Sequence, residues 1–157
     1  MKTNSISHIA ALSVAVGAIA IAALAPISVS AKSPTPDVLI VNSGSNNTLA
    51  YTIDVSRSGT ATYQTENGSG SASLSNGMVH KLYSDIANGR PLAQLPSSNC
   101  LKSAGFGTFT HISFGSERTP DVSCPGNDIT AALFRDAKAI AAVLGVSDIP
   151  RQPSPTR

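Results

Sequence analysis

The chain has 157 residues, a formal net charge of +2 and a 41% hydrophobic content that is unevenly spread. Residues 1–31 hold 20 of the hydrophobic residues and residues 32–157 hold 45, about 36% of that stretch, where 18 Ser, 11 Thr and 11 Gly make up about a third of the composition. Ten Lys and Arg against nine Asp and Glu over residues 32–157 exclude the strongly basic surface that nucleic acid or an anionic membrane selects, and a stretch of this size supports one modest core rather than two.

Met1–His8 carries Lys2 and no acid, Ile9–Ala25 is apolar except for Ser13 and Gly17, and Pro26 closes the run. Val29-Ser30-Ala31 then supplies small residues ahead of Lys32. This is the three-part layout of a secretory signal, and it predicts cleavage before Lys32 and a protein that is secreted or periplasmic. The alternative is an uncleaved anchor, because an apolar run of about 17 residues reaches the lower limit for spanning a bilayer. Residues 32–36 read as an extended leader, residues 37–149 as a single domain and residues 150–157, with three prolines, as a disordered tail.

Val38–Val41 is a short apolar strand, followed by the turn-rich Asn42–Asn47. Leu49–Ser56 alternates, with Tyr51, Ile53 and Val55 on one face, and Ala61, Tyr63 and Thr65 continue the alternation after Arg57-Ser58-Gly59. A three-residue loop sets Val55 against Ala61, Ile53 against Tyr63 and Tyr51 against Thr65, and it places Gly59 where such a hairpin needs a left-handed residue. A two-residue loop would pair apolar with polar side chains instead. Asn67-Gly68-Ser69-Gly70 reads as a second turn and Ser71–Leu74 as a further short strand. Capped by Ser75 or Asn76, a helix follows over about Asn76–Asn88, with Met78, Val79, Leu82, Tyr83 and Ile86 as its stripe and Gly89 and Pro91 as its stop.

Leu92 and Leu95 of the next loop are expected to tuck against the core. Gly105–Gly115 reads as a strand with Phe106, Ile112 and Phe114 on one face and Phe109, His111 and Ser113 on the other. Glu117–Cys124 is its expected partner, confined to an edge by Pro120. Asn127 caps the last helix, which carries Asp128 in its first turn and a stripe of Ile129, Leu133, Ala137, Ile140 and Leu144, and Gly145 ends it. Cys100 and Cys124 are the two cysteines of the chain; in an exported protein such a pair predicts a disulfide, and their spacing does not suit a redox or metal-binding pair. The fold class that follows is α+β, an antiparallel sheet of four to six strands with two helices packed on one face and one disulfide.

Chemistry-bearing motifs are sparse. His80 and His111 are the histidines that remain after cleavage, and no metal-ligand or phosphate-loop spacing occurs, so no cofactor is implied. His80 reads as a solvated helix residue, and Lys81 with Asp85 as a surface pair worth tenths of a kcal/mol. No Gly-x-Ser-x-Gly elbow is present, and Gly68-Ser69-Gly70 is a weak echo between strands. The face carrying Phe109, His111 and Ser113 is the candidate binding patch, and the competing expectation is that Phe109 merely covers the disulfide or packs under the Arg90–Asn99 loop.

The stretch Cys100-Leu-Lys-Ser-Ala-Gly-Phe-Gly-Thr, then Gly115, then Thr119-Pro-Asp-Val-Ser-Cys124, together with Pro91-Leu-Ala-Gln-Leu-Pro96, resembles a pattern in small exported bacterial proteins of uncharacterised function. The resemblance spans about residues 74–144. It implies an exported bacterial domain with a disulfide hairpin and implies no activity. The expected function is therefore a non-catalytic exported domain, a monomer that binds a protein or envelope component and neither nucleic acid nor, after cleavage, the membrane. Two rivals stand beside it: a small hydrolase pairing a serine with His80 or His111, and a secreted protease inhibitor presenting Ser116–Pro120.

Overall fold

The computed structural model describes residues 37–103 and 105–151. The expected export signal and leader, and residues 152–157 of the expected tail, lie outside the described residues.

Six strands form one sheet: β1 (Val38–Asn42), β2 (Tyr51–Val55), β3 (Thr60–Thr65), β4 (Gly68–Ser73), β5 (Thr110–Phe114) and β6 (Glu117–Arg118). Their spatial order is β4-β3-β2-β1-β5-β6, and every neighbouring pair is antiparallel. Two helices, α1 (Asn76–Asn88) and α2 (Asp128–Val143), complete the fold. The α+β class with a Cys100–Cys124 disulfide, Cα atoms 5.7 Å apart, is as the sequence predicts. A bridge of this kind fits a protein of an oxidising compartment. Among the described residues no helix is long and apolar enough to cross a membrane.

Period-two patterning sets the sheet. Val38 and Ile40 of β1, Ile53 and Val55 of β2, Ala61 of β3 and Ile112 of β5 are fully buried on one face, and the register aligns them in rows: Ile112, Ile40 and Ile53 in one, Val38, Val55 and Ala61 in the next. Both helices cover that face. Val79, Leu82, Tyr83 and Ile86 of α1 meet Leu133, Ala137 and Ile140 of α2 and the strand residues in one cluster. The expected hairpin register between β2 and β3 is observed, and Gly59 turns it at φ +92°. Each helix begins where a side chain satisfies its free N–H groups. Ser75 Oγ accepts from Met78 N at 3.3 Å, and Asn127 Oδ1 accepts from Thr130 N at 2.9 Å while Thr130 Oγ1 accepts from Asn127 N at 3.1 Å.

Four expectations are corrected. The turn at Asn67–Gly70 is tighter than expected: Glu66 and Asn67 alone make it, and Gly68, Ser69 and Gly70 already belong to β4. The strand expected over Gly105–Gly115 is only Thr110–Phe114 long, so Phe106 lies outside the sheet and is exposed rather than core-facing. Its expected partner Glu117–Cys124 keeps regular pairing only at Glu117 and Arg118, and beyond them the Thr119 and Asp121 side chains accept from the β5 N–H groups in place of strand carbonyls. Of the expected tail, Pro150 bridges Thr48, Arg151 N donates to Asn47 O at 2.8 Å, and the Arg151 guanidinium reaches both Glu66 carboxylate oxygens at 3.2 Å.

Between the helices, Lys81 Nζ lies 2.6 Å from Asp85 and 2.8 Å from Asp136. The expected surface pair is thus one arm of a bridge from α1 to α2. Asp136 Oδ2 is buried without a hydrogen-bond partner among the described residues. Burial raises the Asp136 carboxyl above its ordinary value, and Lys81 works against that rise.

The polar composition leaves a one-sided core, so the crosslink carries a large share of the stability. Closing a 24-residue separation stabilises by about 3.5 kcal/mol in the chain-entropy treatment. Changing Cys100 or Cys124 to Ser lowers the unfolding free energy by about 2–5 kcal/mol in urea denaturation; an unchanged midpoint under oxidising conditions contradicts this.

Candidate functional site

After α1 the chain is pinned to the far end of the sheet. Leu92 is fully buried, and its N–H donates to Glu117 Oε2 at 2.7 Å, while Arg90 Nε donates to Glu117 Oε1 at 2.7 Å. The Arg90 guanidinium and this backbone N–H hold the Glu117 carboxyl below its ordinary value. Leu95 packs against the core as expected. Ser97 then bridges Pro125, Ser98 N donates to Cys124 O at 2.9 Å, and the disulfide follows at Cys100.

Where Pro120 interrupts the edge, side chains take over the ladder. Thr119 Oγ1 accepts from Ile112 N at 3.0 Å and Asp121 Oδ1 accepts from Thr110 N at 2.9 Å. Thr119 N and Val122 N still donate to Ile112 O and Thr110 O, each at 2.9 Å. The same Asp121 carboxylate takes Ser123 N at 3.1 Å and Ser123 Oγ at 2.6 Å, and its other oxygen pairs with the Lys102 ammonium. Lys102 also donates to Ser123 Oγ at 2.5 Å and to Thr108 O, and its Nζ stands 4.1 Å from the centre of the Phe109 ring. Burial alone would raise the Asp121 carboxyl. Hydrogen bonds from Lys102, Ser123 and the two backbone N–H groups outweigh that and hold it below the ordinary carboxylate value.

Lys102 thereby draws the loop 101–109 onto the return strand, and the Ser43–Asn47 turn holds it from the other side. Phe109 N donates to Ser43 Oγ and Ser43 N to Phe109 O, both at 2.9 Å. Ser45 Oγ and Asn47 N donate to Gly105 O at 2.7 and 3.2 Å. Within the loop, Ser103 accepts from Phe106 N through Oγ at 3.1 Å and from Gly107 N through its carbonyl at 2.6 Å. A side chain at Gly107 would place Cβ 2.5 Å from Lys102 Cβ and 2.6 Å from Ser103 O, so only glycine lets the chain close here.

With its polar groups turned inward, the loop turns its apolar side chains out. Leu101 is fully exposed, Phe106 is 73% exposed and Phe109 51%. The other exposed large apolar side chain among the described residues is Val143, on α2. Three such residues thus fall within nine positions of the chain. The predicted patch is divided by the structure. Phe109 belongs to this loop, whereas His111 and Ser113 sit within β5 on the face turned away from the helices, half-buried beside Val41 and Leu39. His111 Nδ1 lies 3.1 Å from Thr119 O, while His80 is exposed on α1. Neither histidine is hydrogen-bonded to a serine hydroxyl among the described residues. The Ser116–Pro120 tip is a two-residue turn at Gly115-Ser116 with Ser116 and Arg118 exposed, Glu117 folded back onto Arg90 and Thr119 buried.

Leu101 and Phe106 were missed by pattern reading. An isolated leucine beside a cysteine carries no periodic signal, but glycine on both sides of Phe106 marked a loop rather than a strand interior. An open depression of about 510 Å³ lies against α1, lined by Arg57, Asn76, Val79, His80, Tyr83 and Ser84 among others, and a shallow one of about 350 Å³ lies along the loop itself, between Leu101, Phe106 and Ser123. A cavity of about 110 Å³ lies beside the loop, lined by Asn42, Tyr51, Thr108, Phe134, Lys138 and Asp148 among others. That is well below the several hundred cubic ångströms of an ordinary ligand site. Burial, with Asp148 nearby, pushes the Tyr51 hydroxyl up to about 12. Among the described residues no group of three or more His, Cys, Asp or Glu is placed to hold a metal ion.

Comparison with protein-family models, curated proteins and solved structures finds no match to this chain.

A carboxyl held below its unfolded value contributes stability above the unfolded value, about pH 3.9, and loses it as pH falls through the lower folded value. Acidification below about pH 4 therefore releases the 101–109 loop through protonation of Asp121, seen as exchange broadening of the Phe106 and Phe109 ring signals. In Asp121→Asn the loop is already loosened at neutral pH and this acid transition disappears. A transition unchanged in Asp121→Asn refutes the assignment.

Proposed function

We propose that this chain is an exported, non-catalytic domain, secreted or periplasmic after removal of residues 1–31, that binds a protein or envelope component through Leu101, Phe106 and Phe109. The observation that carries this reading is the fixed outward display of three large apolar side chains on an otherwise Ser- and Thr-rich domain. Exposing them to water costs about 25 cal/mol per Å² of apolar area. The hydrogen bonds of Lys102, the Ser43–Asn47 turn and Ser103, with the disulfide, hold them out rather than letting the loop fold over them. A loop already ordered before contact loses less conformational entropy on binding. The signal-like residues 1–31 and the disulfide support export, and the resemblance to small exported bacterial proteins agrees with it.

A photo-reactive phenylalanine analogue at position 106, introduced in the native host, is expected to give a discrete adduct that Leu101→Ser abolishes. The same analogue at exposed Ala139 on α2 gives none. Equal adducts from both positions, or none from position 106, refute the proposal.

A further inference from the structure

The two edges of the sheet are finished differently. β6 is two residues long and runs into Pro120 and the side-chain bonds of Thr119 and Asp121, so it offers no free ladder to an added strand. β4 is the opposite edge. It has six residues, four of them exposed, and contains neither proline nor charge. Exposed edges of this length are usually shortened, bulged or charged.

Alternation fixes which of its groups are free. The two-residue turn at Glu66-Asn67 makes Thr65 and Gly68 a hydrogen-bonded pair, so Gly68, Gly70 and Ala72 direct their N–H and C=O groups to β3. Leu74 keeps the same parity, donating its N–H to Gly59 O at 2.8 Å. Ser69, Ser71 and Ser73 therefore point their backbone groups away from the sheet, and no bond from another segment reaches them among the described residues.

We propose that β4 pairs with β4 of a second copy of this chain, antiparallel, with the two Ser71 residues facing each other across a two-fold axis. The surface is self-complementary. Ser71 on the axis sets Ser69 opposite Ser73 of the second copy, so every outward group meets another outward group and each of the three pairs exchanges two hydrogen bonds. Residues 68–76 carry no charge, so no like-charge pair opposes the contact. The chain's flanking segments suit the edge less well, because Pro34, Pro36, Pro153 and Pro155 lack the N–H a ladder needs. The pairing departs from the monomer expected from sequence and uses a part of the molecule remote in sequence from the 101–109 loop.

The chain is expressed with its own leader and purified as the cell leaves it, and its mass is followed by sedimentation equilibrium. The wild type shows a concentration-dependent monomer–dimer equilibrium. Ser71→Pro removes an outward donor and leaves the β3 ladder intact, so it raises the dimer dissociation constant about tenfold or more with an unchanged far-UV spectrum. Should Ser71→Pro disturb the fold, Ser71→Cys decides. Opposed Cα atoms of a hydrogen-bonded antiparallel pair lie about 5.5 Å apart, inside the disulfide range, so mild oxidation links Ser71→Cys into dimers. Ser69→Cys, which faces Ser73, does not link. A wild type that stays monomeric at all concentrations, or Ser69→Cys linking as readily as Ser71→Cys, overturns the proposal.

Discussion

The carboxylate of Asp121 joins the two halves of this molecule's logic. One oxygen replaces a missing strand partner by accepting from Thr110 N, and the other holds the Lys102 ammonium across a sequence separation of 19 residues. The need arises because regular β5–β6 pairing ends at Arg118, and Thr110 N finds its acceptor in this side chain instead of a strand carbonyl. Had Asp121 been apolar, Thr110 N would be left without an acceptor at a buried position, a cost of about 1–3 kcal/mol, and Lys102 would have no anion to fold against. The carboxyl sits below its ordinary value because these donors outweigh its burial. Salt-bridge strength as such is secondary. A part-buried pair pays for its desolvation, and its value here lies in fixing where the loop goes.

That position decides which side chains face water. The disulfide fixes the start of the loop at Cys100, Lys102 closes it onto Thr108 and Ser123, and the Ser43–Asn47 turn fixes its far side. With the polar contacts directed inward, Leu101, Phe106 and Phe109 have nowhere to go but out. Among the described residues, the sheet behind them is covered by helices on one face. A small domain with a one-sided core has few apolar residues to leave on its surface, so three of them gathered in one braced loop carry information that a scattered three would not. The two sheet edges repeat the contrast, one closed by Pro120 and side-chain bonds, the other an uncharged strand with its outward groups free.

Much of the fold was legible because its signals are local. The β2–β3 register follows from pairing apolar with apolar and from the need for a left-handed residue at Gly59, and both helices announce their caps, stripes and stops within a few residues. The disulfide follows from an even cysteine count in a chain that begins like an export signal. What alternation misread was Phe106, since it shares even spacing with Ile112 and Phe114 and so mimics one strand face until the backbone partners are known. Thr119 and Asp121 standing in for a strand, Lys102 reaching Asp121, and Lys81 reaching Asp136 on the other helix are contacts between residues distant in sequence. No periodicity encodes them, and the candidate site was legible only at Phe109 for that reason.

The central claim is that the 101–109 loop is a braced apolar display rather than a flexible connection. Backbone ¹⁵N relaxation across residues 101–103 and 105–109 tests it most directly. The account predicts order parameters near those of rigid backbone, about 0.85, close to the values in β5. Values below about 0.6 across the same residues, with β5 itself rigid, would contradict it.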